Sequence, residues 1–293
     1  MTPPCAPRLV RPRDEGWPER FDHLAEPPAA VWMWGSTAPA QPAVAVVGSR
    51  RATPQGMDIA HSLGYELAGM GVQVVSGMAR GIDSAAHRGA LDAEGTTVAV
   101  LGCGVDVCYP PDGASLRDRI LGSGCLLSEE DLGAEPAKWR FPKRNRLIAA
   151  LVVAVVVVEA TVRSGALSTA RWAADLGREV LAVPGSIRSS RSDGTNRLIR
   201  DGARPLLDFD DLLAAVPELG GSGRSGGRRS RPVPRVPDHL RQLLLRLGPD
   251  PVHPDDVGEA LGLSAPVVAA RLSELELAGA VMSLPGGLVA RRV

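Results

Sequence analysis

Residues 48–56, GSRRATPQG, combine a glycine, a serine and two arginines in a pattern that suits phosphate binding. Gly48 permits a tight turn, and Ser49 lies with backbone amides beside the expected N-terminus of a helix, where anions bind. Arg50 and Arg51 add planar guanidinium groups that match phosphate oxygens. The segment contains neither GxGxxG nor GxxxxGK[ST], so it matches neither the dinucleotide fingerprint nor the phosphate-binding loop of nucleoside triphosphatases.

A second glycine-rich segment, 76–83 (SGMARGID), repeats this combination. Gly77 and Gly81 let the backbone approach a ligand closely, and Arg80 adds a cation. Asp83 is expected to cap the helix that follows. Two segments of this kind at neighbouring strand ends predict a phosphate site more strongly than either does alone.

The basic stretch 139–148, WRFPKRNRLI, is expected to begin a helix. Its cations at a helix N-terminus are unfavourable unless anions come to them. Phe141 either offers a ring face to a nucleic-acid base or packs as a staple for the helix. The basic residues of this helix are Lys143, Arg144 and Arg146.

Asn145, in the same stretch, is expected to orient a loop rather than to read a base. The acidic run at 129–131 is expected to be solvated. Residues 159–170 (EATVRSGALSTA) place Ser164, Gly165 and Thr169 at the opening of another helix, where amides and hydroxyls suit a phosphate. The loop 184–202 adds further charge through Arg188, Arg191 and Arg197.

The elements that must position these loops are apolar strands alternating with helices. Strands are expected at 43–47, 72–76, 97–101, 125–128, 153–160 and 179–185. Strands that are apolar throughout indicate a parallel sheet covered on both faces, here an α/β, doubly wound, Rossmann-like domain. Ligands of such sheets bind at the carboxyl ends of the strands, where all the loops above are placed.

Composition excludes several other classes of protein. The formal net charge of the 293 residues is zero, so anion binding must come from local clusters. The cysteines form no CxxC pair, and no metal or other cofactor is expected. The N-terminus has no signal-peptide pattern, and the longest apolar run, 147–158, is too short to span a bilayer. We therefore expect a cytoplasmic protein without membrane contact.

Four regions are predicted along the chain. They are an N-terminal extension at 1–42, the Rossmann-like domain at 43–216, a flexible basic linker at 217–236 and a winged helix at 237–293. The third helix of the winged helix carries Glu274 and Glu276 beside a single arginine, Arg271, so it is poor for gripping phosphates. Protein contact or weak DNA contact suits this unit at least as well as sequence-specific recognition.

Five motifs, GSRRATPQG, SGMARGID, FPKRNRLIAAL, VEATVRSGALSTA and VPGS, resemble in order and spacing those of the DNA-processing protein A family (DprA, also called Smf). The resemblance covers about 20–215 strongly and the winged helix more loosely. It implies an extended Rossmann-fold homodimer that binds single-stranded DNA and helps load a RecA-type recombinase during natural transformation. Many members begin with a helical SAM-like domain, and too few residues precede Ala43 to hold one.

Carried over by motif, the resemblance implies a set of single-stranded DNA-binding residues from four segments. They are Gly48, Ser49, Arg50, Gly77, Ala79, Arg80, Gly81, Phe141, Lys143, Arg144, Asn145, Ser164, Gly165 and Thr169. No catalytic residue is expected, because the loops supply donors and cations without a nucleophile or a base. His61 and His87 lie on expected helices and are interpreted as surface or packing residues.

Two other functions stay open. One is a nucleotide-cleaving hydrolase of the lysine-decarboxylase-like Rossmann group, for which Glu159 is the best-placed acid, although the PGGxGT-type loop of that group is missing. The other is a transcription factor that binds duplex DNA through the winged helix. Its acidic third helix argues against that role.

Overall fold

The computed structural model describes residues 6–221, 237–247, 251–284 and 286–291. The chain divides into two compact units, 1–228 and 229–293, which are described separately. Most of the predicted linker at 217–236 lies outside the described residues, apart from a 3-10 helix at Pro217–Gly221.

The first unit contains nine strands among its described residues, and they form one sheet. The strands are β1 (Arg8–Val10), β2 (Val31–Gly35), β3 (Ala43–Val47), β4 (Gln73–Ser76), β5 (Thr97–Leu101), β6 (Cys125–Ser128), β7 (Ala154–Val157), β8 (Glu179–Ala182) and β9 (Arg204–Pro205). Their order is β1-β2-β6-β5-β4-β3-β7-β8-β9.

Strands β3 to β9 are parallel; β2 pairs antiparallel with β6, and β1 pairs antiparallel with β2. Strands β3 to β6 lie in sequence order on one side of the sheet, and β7 then pairs with the other side of β3. This topology confirms the predicted doubly wound α/β class. The sheet begins before residue 43, because Val31–Gly35 pairs with Cys125–Ser128. The stretch predicted as an N-terminal extension thus contributes two strands to this sheet.

The helices of the first unit cover both faces of the sheet. They are α1 (Pro54–Gly69), α2 (Ile82–Asp92), α3 (Ala114–Ser123), α4 (Arg140–Leu151), α5 (Ala166–Asp175), α6 (Asp193–Arg200) and α7 (Phe209–Ala215), with a 3-10 helix at Glu19–His23 and another at Pro111–Gly113. Helix α1 begins as the sequence predicts, because the Thr53 side chain accepts a hydrogen bond from the Gly56 amide and Pro54 occupies the first turn.

Alternate residues of the strands pack into separate cores on the two faces of the sheet, which is why the strands are apolar throughout. In β3, Val44 and Val46 pack with α1 and α2, whereas Ala45 and Val47 pack with α4 and α5 on the opposite face. Burial on both faces fixes the register of the strands. The loops between strands and helices are therefore held in a fixed row along the carboxyl edge of the sheet.

The second unit, as far as the structure describes it, contains three helices and a β-hairpin. Its elements are α8 (Asp238–Arg246), α9 (Pro254–Leu261), α10 (Ala265–Leu277), β10 (Val281–Leu284) and β11 (Leu288–Arg291). Leu240, Leu243, Leu272 and Leu275 form part of its own hydrophobic core. This order of elements is the predicted winged helix. None of the helices in the described residues of either unit is long and apolar enough to cross a membrane.

His87 on α2 is fully buried, in agreement with its interpretation as a packing residue. Its Nδ1 lies 2.7 Å from the Thr97 hydroxyl, which donates to the Val74 carbonyl at 2.7 Å. The hydroxyl therefore accepts from Nδ1, and Nε2 has no hydrogen-bond partner among the described residues. Burial lowers the pKa of His87 from 6.5 to about 3, so the ring is neutral in the folded protein.

Replacing His87 by glutamine is expected to flatten the acid dependence of folding stability. Histidine protonates near pH 6.5 in the unfolded chain but near 3 in the folded one. Between these values the unfolded state binds more protons, so stability decreases as the pH falls, by up to about 1.4 kcal/mol per pH unit. Urea unfolding followed by circular dichroism from about pH 7 to about pH 5 measures this slope for both proteins. A stability difference between them that stays constant with pH would contradict the assignment.

Candidate nucleic-acid interface

Three loops and the first turn of α4 meet around Phe141 at the carboxyl edge of the sheet. Arg50 comes from the loop between β3 and α1, and Tyr109 comes from the loop between β5 and α3. The Arg50 guanidinium carbon lies 4.6 Å from the centre of the Phe141 ring, and the Tyr109 and Phe141 ring centres are 5.6 Å apart. The loop after β4 joins them through the Ile82 amide, which donates to the Ser49 carbonyl at 3.3 Å. We call this group of loops the strand-end site.

Glycines allow these loops to approach one another. Gly81 has φ = 79°, a left-handed conformation, and a β-carbon there would collide with the Ser49 carbonyl oxygen. A β-carbon at Gly77 would lie 2.5 Å from Nη2 of Arg144. The glycines of the two segments thus allow the loops to pack directly against one another.

Arg50 is exposed, and its guanidinium lies over a partly exposed aromatic ring. Among the described residues, no carboxylate lies within 4 Å of Arg50 or Arg51. A cation held over a ring that is itself open to solvent offers both charge for a phosphate and an apolar face for a base. This pair is the chemically available part of the strand-end site.

Arg144 plays a different part, because its side chain is buried. Its Nη1 donates to the carbonyl oxygens of Gly77, at 3.1 Å, and Val100. Burial lowers the pKa of Arg144 to about 10, so the guanidinium remains charged at neutral pH. It ties the loop after β4 to the end of β5 from inside the protein.

Asp83 holds the same loop from the other side. Its Oδ2 accepts hydrogen bonds from the amides of Gly77, at 3.1 Å, and Ala79, at 3.4 Å. Burial raises the pKa of Asp83, while the positive charge of Arg144 and the two amides act in the opposite direction. The predicted helix cap is therefore corrected: α2 begins at Ile82 after Gly81, and the Asp83 carboxylate binds loop amides. The Gly77 backbone is thus held by a carboxylate at its N–H and by a guanidinium at its carbonyl.

The expectation that Arg144, Asn145 and Thr169 line a DNA path does not fit their positions, because all three side chains are buried. Asn145 Nδ2 donates to the Gly165 carbonyl at 3.1 Å and so ties α4 to the loop after β7, as the loop-orienting interpretation predicts. Arg144 and Asn145 thus position the loops, and Thr169 is only 1% exposed. Gly165 is exposed and Ser164 is partly exposed, so that loop remains open to a ligand.

The expectation that the acidic run 129–131 is solvated is wrong for two of its members. Glu129 accepts from Arg146 at 2.7 Å and lies 3.2 Å from the Lys143 ammonium, and Glu130 lies 2.8 Å from Arg140. The anions that the basic start of α4 requires therefore come from the chain itself. Arg146 is buried by this pairing, whereas Lys143 remains exposed at the edge.

Arg80 is exposed and bound to Asp112 at 3.0 Å, which raises the pKa of Arg80 and lowers that of Asp112. A ligand phosphate at Arg80 would have to compete with this carboxylate. Ala79 is partly exposed beside it, and its amide is engaged by Asp83. Arg80 therefore lies at the rim of the strand-end site, and Arg50 lies at its centre.

Tyr109, which sequence reasoning did not select, belongs to the strand-end site through its contact with Phe141. The sequence does contain a feature that could have identified Tyr109, because it lies in a long loop after an apolar strand. Ligand-binding residues of such sheets occur at this position. Among the described residues, no group of three or more histidine, cysteine, aspartate or glutamate side chains could hold a metal ion.

Two family models match the chain. The model described as DNA recombination-mediator protein A matches residues 8–217, and the DprA winged helix domain matches residues 228–287. The putative DNA processing protein DprA of Mycobacterium tuberculosis is 40% identical over 287 residues, which cover 93% of this chain and 74% of that protein. Protein Smf of Escherichia coli is 38% identical over 260 residues, or 85% of this chain and 68% of that protein.

Solved structures show the same similarity. DNA processing protein A from Streptococcus pneumoniae has a TM-score of 0.66 at 40% identity, covering 71% of this chain and 73% of that chain. DNA processing protein A from Helicobacter pylori, whose structure is described in terms of its single-stranded DNA binding mode, has a TM-score of 0.65 at 31% identity. That match covers 72% of this chain and 96% of that chain.

Proposed function

Because this chain belongs to the DNA recombination-mediator protein A family, we propose that it binds single-stranded DNA at the strand-end site. Through this binding it protects incoming single strands and loads a RecA-type recombinase in natural transformation. It acts in the cytoplasm as a homodimer formed through the Rossmann-like domain. The observation that carries the binding step is the exposed Arg50 guanidinium, which lies over the partly exposed Phe141 ring and has no carboxylate within 4 Å among the described residues.

Binding without reading of sequence suits this arrangement. Phosphate contacts position a strand but carry no base information, and an aromatic face stacks with any base. The link to DNA is further supported by the Helicobacter pylori relative, whose structure is described by its binding of single strands. A cradle of glycines, an exposed arginine and two rings supplies both kinds of contact.

The hydrolase alternative depends on Glu159, and its position disfavours that role. Both carboxylate oxygens are engaged by Thr53: the amide donates to Oε2 at 3.0 Å, and the hydroxyl donates to Oε1. Glu159 therefore anchors the start of α1. Release of free base from a nucleoside monophosphate, lost in Glu159→Gln, would nevertheless favour the hydrolase. The duplex-binding alternative is disfavoured because α10, the third helix of the winged helix, exposes Glu274, whose carboxylate lies 3.1 Å from His239.

The full chain is expected to bind oligo-dT with an affinity that falls steeply as salt increases. Each phosphate neutralised on a single strand contributes about −0.7 to the slope of log affinity against log salt, so three contacts give about −2. Fluorescence anisotropy of labelled oligo-dT over a salt series measures this slope. Absence of binding at low salt would contradict the proposal and would leave the hydrolase to be tested first.

The recombinase step needs its own measurement. A strand-exchange reaction with a RecA-type recombinase, on DNA already covered by a single-strand binding protein, is expected to start faster when this chain is present. If the chain binds DNA but does not accelerate strand exchange, the proposed DNA binding would stand and the proposed loading of the recombinase would be contradicted.

A further inference from the structure

The strand-end site continues along the sheet edge into the loops after β7 and β8. The Ala160 amide donates to the Arg191 carbonyl at 2.9 Å, and the Gly194 amide donates to the Ala160 carbonyl at 2.7 Å. Thr53, in the loop after β3, binds Glu159, which follows the end of β7. Because β3, β7 and β8 are neighbours, the loops after them form one connected surface.

Three arginines lie on this continuation. Arg163 follows β7, and Arg188 and Arg191 follow β8; all three are exposed. In the part of the chain that the structure describes, no carboxylate lies within 4 Å of any of them. We call Arg163, Arg188 and Arg191 the second basic segment.

Acidic groups near the second basic segment do not neutralise it. Glu159 is engaged by Thr53, and Asp193, at the start of α6, is exposed without an ion pair among the described residues. Some other exposed arginines on this unit are paired, as in Arg200 with Asp201 and Arg204 with Glu179. The second basic segment is thus a local excess of positive charge in a chain of zero net charge.

We propose that a bound DNA strand runs from the Phe141 ring across the switch between β3 and β7 and places further phosphates on the second basic segment. This inference rests on the proposed function and adds the direction of the path. The strand ends of β3 and β8 are separated by two strand intervals, about 10 Å. An oligonucleotide of about 3 nucleotides is too short to span this distance and fills the strand-end site alone, whereas a longer one also reaches Arg188 and Arg191.

The test compares two oligo-dT lengths, about 3 and about 20 nucleotides, which bracket the usual site sizes of about 4–16 nucleotides for single-strand binding folds. The variant Arg188→Gln/Arg191→Gln is compared with Arg117→Gln/Arg171→Gln, which removes two arginines from the helix flanks of α3 and α5. The two variants change net charge equally, so any general loss of attraction appears in both. Anisotropy salt series on the full chain are recorded with each oligonucleotide.

For the longer oligonucleotide, Arg188→Gln/Arg191→Gln is expected to reduce the magnitude of the salt slope by about 1.4, the value for two lost phosphate contacts. Its affinity for the shorter oligonucleotide should match that of the wild type. The control variant should leave both slopes unchanged.

Several outcomes would overturn the path. Wild-type affinity for both oligonucleotides in the variant would show that these loops do not touch the strand. An equal loss of affinity for both oligonucleotides in the variant would place the two arginines in the strand-end site itself. A changed sedimentation coefficient, with the loss reversed at high protein concentration, would show contact between two copies instead. Failure of the wild-type chain to bind either oligonucleotide would overturn the proposed function as well. Failure of the proposed function is thereby distinguished from failure of the proposed path alone.

Discussion

Replacing Arg50 by glutamate is expected to lower the affinity for oligo-dT by at least about a hundredfold, because charge-assisted hydrogen bonds contribute about 1.5–3 kcal/mol and reversal adds repulsion. The fold should be unaffected, since Arg50 is exposed and its guanidinium packs on the surface of the Phe141 ring. Arg50→Lys should retain most of the salt slope but bind more weakly, because an ammonium lacks the planar fork.

Anisotropy with oligo-dT measures both variants, and circular dichroism confirms that they fold. Arg171→Glu, on an exposed position of α5, is the matched control for charge reversal. If folded Arg50→Glu retains wild-type affinity while Arg171→Glu does not, the site lies elsewhere on the molecule. A loss of the same size in both variants would indicate general electrostatic attraction rather than a contact.

Replacing Arg144 by methionine is expected to lower the free energy of unfolding by about 3–5 kcal/mol, the usual cost of removing one partner from a buried charged network. The change leaves the Gly77 and Val100 carbonyls without their donor and Asp83 without its compensating charge. For a unit of this size, the melting temperature should fall by roughly 6–20 °C.

Urea unfolding followed by circular dichroism measures the effect of Arg144→Met. In the double variant Arg144→Met/Asp83→Asn, the buried charge is also removed, so part of the lost stability should return. Asparagine can still accept from the Gly77 amide. A variant as stable as the wild type that had lost DNA affinity would instead make Arg144 a direct DNA ligand.

The sheet could be predicted because burial on both faces leaves a local signal. In β3 and β7 every residue is apolar, and a run of this kind in a chain that alternates strands with helices is typical of a central parallel strand. β1 has no such signal, because it is an edge strand of three residues with Arg8 exposed at its start. Its pairing with β2 depends on contacts between residues that are separated in the sequence, so the local pattern does not reveal it.

Within the site, spacing identified the loops but not the direction of each side chain. Arg50 and Arg144 are both arginines in glycine-rich or basic motifs, yet one is exposed and the other buried. The difference arises because Gly77, far away in sequence, leaves room for the Arg144 guanidinium beside its carbonyl. Glu129 likewise became a partner of α4 through the packing of its loop against that helix.

Pairing of Glu129, Glu130 and Asp112 with the arginines and lysine around the site also shapes the kinetics of DNA encounter. A chain of zero net charge, in which Arg80, Arg140, Lys143 and Arg146 are paired with carboxylates, has a weak field at distances beyond the Debye length, about 8 Å at physiological ionic strength. If it binds DNA as proposed, we therefore expect it to meet strands by ordinary diffusion, without electrostatic steering from a distance. Salt then acts mainly on how long a captured strand stays, so residence time, and not the rate of capture, distinguishes a long strand from a short one.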